Sequence, residues 1–212
     1  MIKIKKLFAG IIASTLLFTI NPTSVNAEWK QSSQGWWYSE GNYYAIGWRQ
    51  ISGVWYYFDK NGYLETGWVN DGTAQYYMDS NGAMKTGFQA INGVIYKFGE
   101  NGALVGKFIG QPTVSENGKE YKTFCWQNGD IYNGEWENNE ISGHGTLSYA
   151  NGDRYDGNFQ NGVKSGQGTF KWKNGDIYQG QWEFDKMNGN GTYTFISGTI
   201  DDGKWKDNNY IG

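Results

Sequence analysis

The sequence predicts an all-β protein built as two tandem arrays of β-hairpin repeats. Three observations carry this. The 212 residues include 32 Gly, 11 Trp, 16 Tyr and 11 Phe but only 2 Pro, a composition of many tight turns between short aromatic strands. Asn-Gly dipeptides, the strongest short hairpin signal, recur along the chain. Two ungapped internal periods of different length divide the sequence, and such periods mark repeat architectures.

Residues 1–27 stand apart. Lys3, Lys5 and Lys6 precede an apolar run from Leu7 to Ile20, and Val25-Asn26-Ala27 closes it with small residues. The run is shorter than a spanning helix. The pattern reads as a secretory signal peptide cut between Ala27 and Glu28, against the alternative of a retained membrane anchor. Removing three lysines leaves 15 Lys and Arg against 21 Asp and Glu. A mature chain of charge −6 disfavours nucleic acid and anionic membrane lipid as partners, since both need basic surface. The single cysteine, Cys125, cannot form an internal disulfide. It lies in the strand-like run Thr-Phe-Cys-Trp, where a buried, inert thiol is expected.

The first array occupies 28–106. Its units are GWRQISGVWYYFDKNGYLET (47–66), GWVNDGTAQYYMDSNGAMKT (67–86) and GFQAINGVIYKFGENGALVG (87–106), a period of 20 residues. The columns are Gly47/Gly67/Gly87, Trp48/Trp68/Phe88, Tyr56/Tyr76/Tyr96, Asn61-Gly62/Asn81-Gly82/Asn101-Gly102 and Leu64/Met84/Leu104. An earlier unit of 19 residues, 28–46, places Trp29 in the first ring column and Trp36-Trp37-Tyr38 in the later one. Strand side chains alternate between faces, so Trp55-Tyr56-Tyr57-Phe58 sets rings on both faces. The stretch 53–68 reads as a small hairpin turning at Asn61-Gly62.

The second array occupies 121–212, with a period of 23 over 132–154, 155–177 and 178–200. Its columns are Tyr132/Tyr155/Tyr178, Gly134/Gly157/Gly180, Trp136/Phe159/Trp182, a Gly-x-Gly-Thr at Gly143, Gly166 and Gly189, and Tyr149/Trp172/Phe195. Half a unit precedes these and a truncated one follows. Glycine in a strand interior costs about 0.5–1 kcal/mol relative to Ala, so its recurrence implies that a neighbouring ring needs the space. Between the arrays, Pro112 and small polar residues interrupt both periods. Residues 107–120 read as a junction, either packed or flexible.

Catalytic chemistry has little to work with. His144 is the only histidine, in a slot that holds Gln167 and Asn190 in the other units. No nucleophile–histidine set or His/Cys zinc site can be assembled, and no EF-hand calcium spacing is present. Asp130, Asp153 and Asp176 recur after Asn-Gly, where turn chemistry accounts for them. The chain reads as non-enzymatic and without cofactor.

At each junction of the first array, rings from consecutive hairpins would converge. Three rings around a small space suit a quaternary ammonium, at about 0.5–2 kcal/mol per contact. From the period alone, these rings serve equally well as core. The order Gly-Trp, Trp-Tyr-Tyr-Phe, Asn-Gly, Leu or Met, Thr-Gly-Trp resembles the choline-binding (cell-wall-binding) repeat of Gram-positive surface proteins, and the related glycan-binding tail repeats of clostridial toxins. The resemblance covers 28–106 and implies a β-solenoid whose sites take rings from two adjacent repeats. Carried over, it gives Trp29, Trp36 and Tyr56 for one site and Trp48, Trp55 and Tyr76 for a second. A third would use Trp68 and Tyr96, but Gln75 stands where its middle ring should be. The last unit offers only Phe88 and Ile95.

Tyr-x-Gly-x-Trp, Gly-x-Gly and Asn-Gly-Asp in 121–212 resemble the MORN repeat. This implies an elongated antiparallel sheet for scaffolding, dimerisation or protein contact. Phospholipid binding, proposed for some members, fits poorly with 8 Lys and Arg against 12 Asp and Glu in this region. The two resemblances together imply an exported wall- or surface-associated protein. Its partner would be a choline-containing wall polymer, with a protein partner for the second array. The alternatives are a carbohydrate-binding module and a pure scaffold.

Overall fold

The computed structural model describes residues 27–114 and 119–212. Residues 1–26 of the expected leader lie outside the described residues, as do residues 115–118 of the junction. Among the described residues every regular element is a strand, and no helix is long and apolar enough to cross a membrane.

The first array is a series of small hairpins. Strands β1 (Glu28–Ser32), β2 (Gly35–Glu40) and β3 (Tyr43–Tyr44) form one three-stranded sheet. Strands β4 (Gly47–Ile51) and β5 (Val54–Phe58) pair alone, as do β6 (Gly67–Asn70) and β7 (Gln75–Met78). The hairpin turn differs from the expected one. Val54–Phe58 pairs backward with Gly47–Ile51, turning at Ser52-Gly53, where both residues have positive φ (51° and 84°). Two positive φ values give the turn twist that matches paired strands. Asn61-Gly62 instead closes a loop: Asp59 Oδ1 accepts the N–H groups of Asn61 and Tyr63, each at 2.8 Å, and one bridge joins Phe58 to Leu64.

These loops set the stacking of unit on unit. A Cβ on Gly82, whose φ is +78°, would stand 2.6 Å from the Leu64 side chain. Gly102 meets Met84 in the same way. Each Asn-Gly loop therefore seats on the apolar residue one repeat earlier. Phe58, Met78 and Phe98 are almost fully buried at 0%, 0% and 2% exposure, a period-20 core column.

The last hairpin of the first array, β8 (Gly87–Ile91) and β9 (Val94–Phe98), opens a twelve-stranded antiparallel sheet. It continues through β10 (Leu104–Val114), β11 (Glu120–Trp126), β12 (Ile131–Glu137), β13 (Glu140–Ser148), β14 (Arg154–Gln160), β15 (Val163–Lys171), β16 (Ile177–Glu183), β17 (Lys186–Thr194), β18 (Ile200–Lys206) and β19 (Asn209–Tyr210). Residues 107–114 thus belong to a strand, β10, that pairs with β9 on one side and β11 on the other. The Pro112 that suggested an interruption lies where the β10–β11 register shifts, between Ile109 and Thr113. A bulge leaves its residue without a ladder bond, and so tolerates Pro.

In the second array, Tyr132, Tyr155 and Tyr178 are fully buried. The ring of Tyr155 lies over Gly168, where an added Cβ would stand 2.5 Å from ring carbons. Tyr132 covers Gly145 and Tyr178 covers Gly191 likewise. The three hydroxyls donate to the backbone carbonyls of Glu135, Asn158 and Gln181 at 3.0 Å, so each polar tip is satisfied. The Asn-Gly-Asp aspartates do more than shape turns. Oδ1 of Asp130, Asp153 and Asp176 accepts the N–H of Ala150, Lys173 and Ile196, each at 2.8 Å and 20 residues ahead. Each carboxylate links its repeat to the next. Cys125 is half-buried rather than buried, because its strand edges the pocket described below.

Candidate ligand sites between hairpins

Strand alternation sends Trp29 of β1 and Trp36 of β2 toward Tyr56 of β5. The Trp29 and Tyr56 rings meet edge to face at 5.0 Å and 70°. Trp29 is braced behind by Tyr38 at 5.2 Å and Phe58 at 5.7 Å. Trp36 is 45% exposed. These three rings line one open pocket of about 570 Å³, with Gly35, Leu64, Thr66, Ser80 and Asn81 completing the wall. Leu64 is held there by its N–H, which donates to the Trp36 carbonyl at 2.7 Å.

The second set repeats this one unit on. Trp48 of β4 meets Tyr76 of β7 at 4.6 Å and 67°, and Trp55 of β5 at 6.4 Å and 83°. Trp55 is 41% exposed. Met84 takes the Leu64 role, its N–H donating to the Trp55 carbonyl at 2.9 Å. One group has no counterpart in the first set. Asp71, in the turn before β7, accepts the Trp48 indole N–H at 2.9 Å. Burial pushes the Asp71 carboxyl up, but bonds from the Thr73 hydroxyl, the Trp48 indole and the Thr73 and Ala74 N–H groups outweigh it. The group is held well below the usual carboxylate range and stays anionic beside the rings.

Trp68 of β6 and Tyr96 of β9 make the same contact, at 4.9 Å and 70°. Gln75 occupies the middle position and is exposed. All eight expected rings are therefore placed as three pairs plus the two middle tryptophans. Among the described residues no lysine or arginine stands over Trp29, Trp36, Tyr56, Trp48, Trp55 or Tyr76. The second array differs here. Lys164 Nζ lies 5.5–5.9 Å from the rings of Tyr149, Tyr155, Phe170 and Trp182, bonded to the Tyr149 hydroxyl at 3.1 Å and to Asp185 at 3.1 Å.

Sequence reasoning missed Leu64, Thr66, Ser80, Asn81 and Asp71. The Leu64/Met84/Leu104 column was visible but carried no ligand role. Asp71 replaces Ile51 and Ile91 of the flanking units, so a break in the period was its only signal. Among the described residues no cluster of His, Cys, Asp and Glu could hold a metal ion.

A family model for the choline-binding repeat matches residues 45–88. The MORN repeat model matches 132–154, 155–177 and 178–200. Among solved structures, the pneumococcal cell wall endolysin from phage Cp-1, complexed with choline, is 32% identical over 50% of this chain and 36% of its own, with a TM-score of 0.37. Choline binding protein F from Streptococcus pneumoniae is 24% identical over 81% of this chain and 50% of its own, with a TM-score of 0.38. The choline binding domain of Spr1274 from the same organism is 36% identical over 28% of this chain and 82% of its own, with a TM-score of 0.28. The chain therefore spans about a third of the endolysin and half of protein F. No curated protein matches it.

Proposed function

Because the chain joins choline-binding repeats to MORN repeats, we propose that it is a non-enzymatic, exported surface protein held on choline groups of a cell-wall polymer. The observation that carries this is the Trp29–Trp36–Tyr56 pocket and its repeat at Trp48–Trp55–Tyr76. Ring faces are negative and attract a cation that has no hydrogen bonds to lose. Asp71 adds an anion to the second box. One box binds weakly, at about 0.5–2 kcal/mol per ring. Two boxes on a polymer bearing many ammonium groups gain through effective concentration. The twelve-stranded sheet then serves as an arm that carries a protein-contact surface away from the wall.

The test is retention of residues 28–212 on a choline-type resin, beside a folded Trp48→Ala, Trp55→Ala variant. Retention, release by free choline and weakened retention of the variant support the reading. A folded wild-type protein that flows through overturns it in favour of sugar binding or scaffolding.

A further inference from the structure

The second array opens with a turn that copies the first. In the first array, Gly82 N–H donates to the Asp79 carbonyl at 2.9 Å and Asp79 N–H to the Ala83 carbonyl at 2.9 Å. Gly99, Gly102 and Ala103 repeat this at 3.0 and 2.8 Å. Trp126-Gln127-Asn128-Gly129 closes in the same way: Gly129 N–H to the Trp126 carbonyl at 3.0 Å, Trp126 N–H to the Asp130 carbonyl at 2.9 Å. By this equivalence Gln127 stands where Ser80 stands in the loop that walls the first pocket. Its own N–H, donating to the Val105 carbonyl at 3.0 Å, fixes the turn on β10.

A third pocket, of about 450 Å³, is closed by this turn. It is lined by Trp68, Tyr96, Trp126, Leu104, Gln75, Lys107 and Gln127, among others. Its apolar parts repeat the first pocket: the ring pair, and Leu104 in the Leu64 column. Its polar parts do not. The Gln75 amide stands in the middle-ring position, and a third ring comes from Trp126 of the second array instead. Lys107 lines the pocket, and among the described residues no ion pair holds its ammonium. A like charge lining the same pocket repels a quaternary ammonium. Lys107, not the number of rings, sets this pocket against a choline group.

The pocket offers Trp68, 43% exposed, beside Tyr96 and Trp126, with two exposed amides and a lysine. A sugar ring has an apolar C–H face and a rim of hydroxyls. The first suits an indole platform, and the second suits amides, which donate and accept. Lysine adds a point charge for an anionic group. We propose that the pocket shared by the two arrays binds a saccharide unit bearing an anionic substituent, either a carboxylate or a phosphate. The site exists only because the arrays are fused in this register, since β7 and β9 supply one wall and the 126–129 turn another. It uses neither complete ring box, so it stands apart from the choline reading.

The experiment titrates residues 28–212 with N-acetylmuramic acid, N-acetylglucosamine 6-phosphate and neutral N-acetylglucosamine, with and without saturating choline chloride. Indole N–H shifts are followed by NMR. An acidic sugar should bind whether or not choline is present, about tenfold more tightly than the neutral one. Trp68→Ala should abolish binding. Lys107→Gln, at an exposed position outside the core, should reduce the acidic sugar to the neutral level. Preference for one acidic sugar supports the site and identifies the anion. Absence of sugar binding, sugar binding undiminished in Trp68→Ala, or displacement of the sugar by choline would each overturn the assignment. Because the arm without choline reads the sugar directly, failure of the choline reading leaves this test intact.

Discussion

Trp48 donates its indole N–H to Asp71 across 23 residues of sequence, at 2.9 Å. This bond makes the two ring boxes unequal, since Ile51 occupies the corresponding position for Trp29. Asp71→Asn removes the charge, and its single acceptor oxygen can serve either the indole, held by Oδ2, or the Thr73 and Ala74 N–H groups, held by Oδ1. Choline affinity at the second box should fall about fivefold, near 1 kcal/mol for a screened charge at this range, with the first box unchanged. The sign with pH follows. A carboxyl held below its ordinary value of about 3.9 contributes fully above that value, and its contribution is lost as pH falls through the lower folded value. Wild-type and variant affinities should therefore converge only in strong acid. Calorimetric titration of both proteins over pH measures this.

Gly168 has no room for a methyl group. An added Cβ would stand 2.2 Å from the Tyr155 hydroxyl and 2.5 Å from its ring. Gly168→Ala should cost at least about 1–3 kcal/mol through overpacking. Gly198→Ala serves as a contrast, since nothing lies near its Cβ and only the strain of a φ of +87° is felt. Urea unfolding midpoints compare the two.

Lys164 stands in a column otherwise held by Ile141 and Met187, with its side chain 11% exposed. Lys164→Met should remain within about 1 kcal/mol of wild type, because an apolar side chain of similar volume replaces the ion without stranding a buried charge. Its partner Asp185 is 48% exposed and stays hydrated. Lys164→Ala should cost about 2–4 kcal/mol, as truncation leaves a void among four rings. Equal losses in the two variants would show that the ammonium itself holds the cage.

Asp176 and Tyr193 meet at 3.0 Å and contribute at both ends of the pH range. The Ile196 N–H, then the Asn174 amide and the Tyr193 hydroxyl, hold the Asp176 carboxyl below its ordinary value. Its stabilisation is present above about pH 3.9 and lost as pH falls through the folded value. Burial first, then the Asp176 carboxylate, pushes the Tyr193 hydroxyl up to about 12. A raised acid contributes fully below the unfolded value of about 10 and is lost as pH rises through the folded one. Stability measured against pH should decline at both ends. Asp176→Asn should make the acid limb shallower, to which Asp71, Asp79 and Asp207 also contribute. Tyr193→Phe should do the same to the alkaline limb, to which the buried Tyr132, Tyr155 and Tyr178 also contribute.

Much of this was legible because a repeat writes the same constraint several times. Tyr132, Tyr155 and Tyr178 could be read as one face, and Trp29, Trp48 and Trp68 as one column, from spacing alone. Pairing was harder. Ser52-Gly53 and Asn61-Gly62 are both turn signals, and composition does not say which one reverses a ladder and which one closes a loop. The core column Phe58/Met78/Phe98 escaped notice because it mixes residue types at strand ends. The third pocket was half legible. Gln75 announced a missing ring, but the wall supplied by Gln127 depends on how two arrays of different period meet. The Asn128-Gly129 turn was visible only as a feature of the second array.

The twelve-stranded sheet has a mechanical consequence. Twelve strands at about 4.8 Å spacing span about 53 Å. Tension applied between the ring boxes and the far edge would run across the strands, along the hydrogen bonds. Rows loaded in series separate in succession, as a zipper does, whereas rows sheared along the strands must fail together. Such a sheet yields at low force and from its weakest row, beginning with the two-residue β19. Each 23-residue unit released adds about 75 Å of extended chain. A surface held by many weak contacts would then be cushioned against sudden load, because the sheet lengthens before the contacts give way.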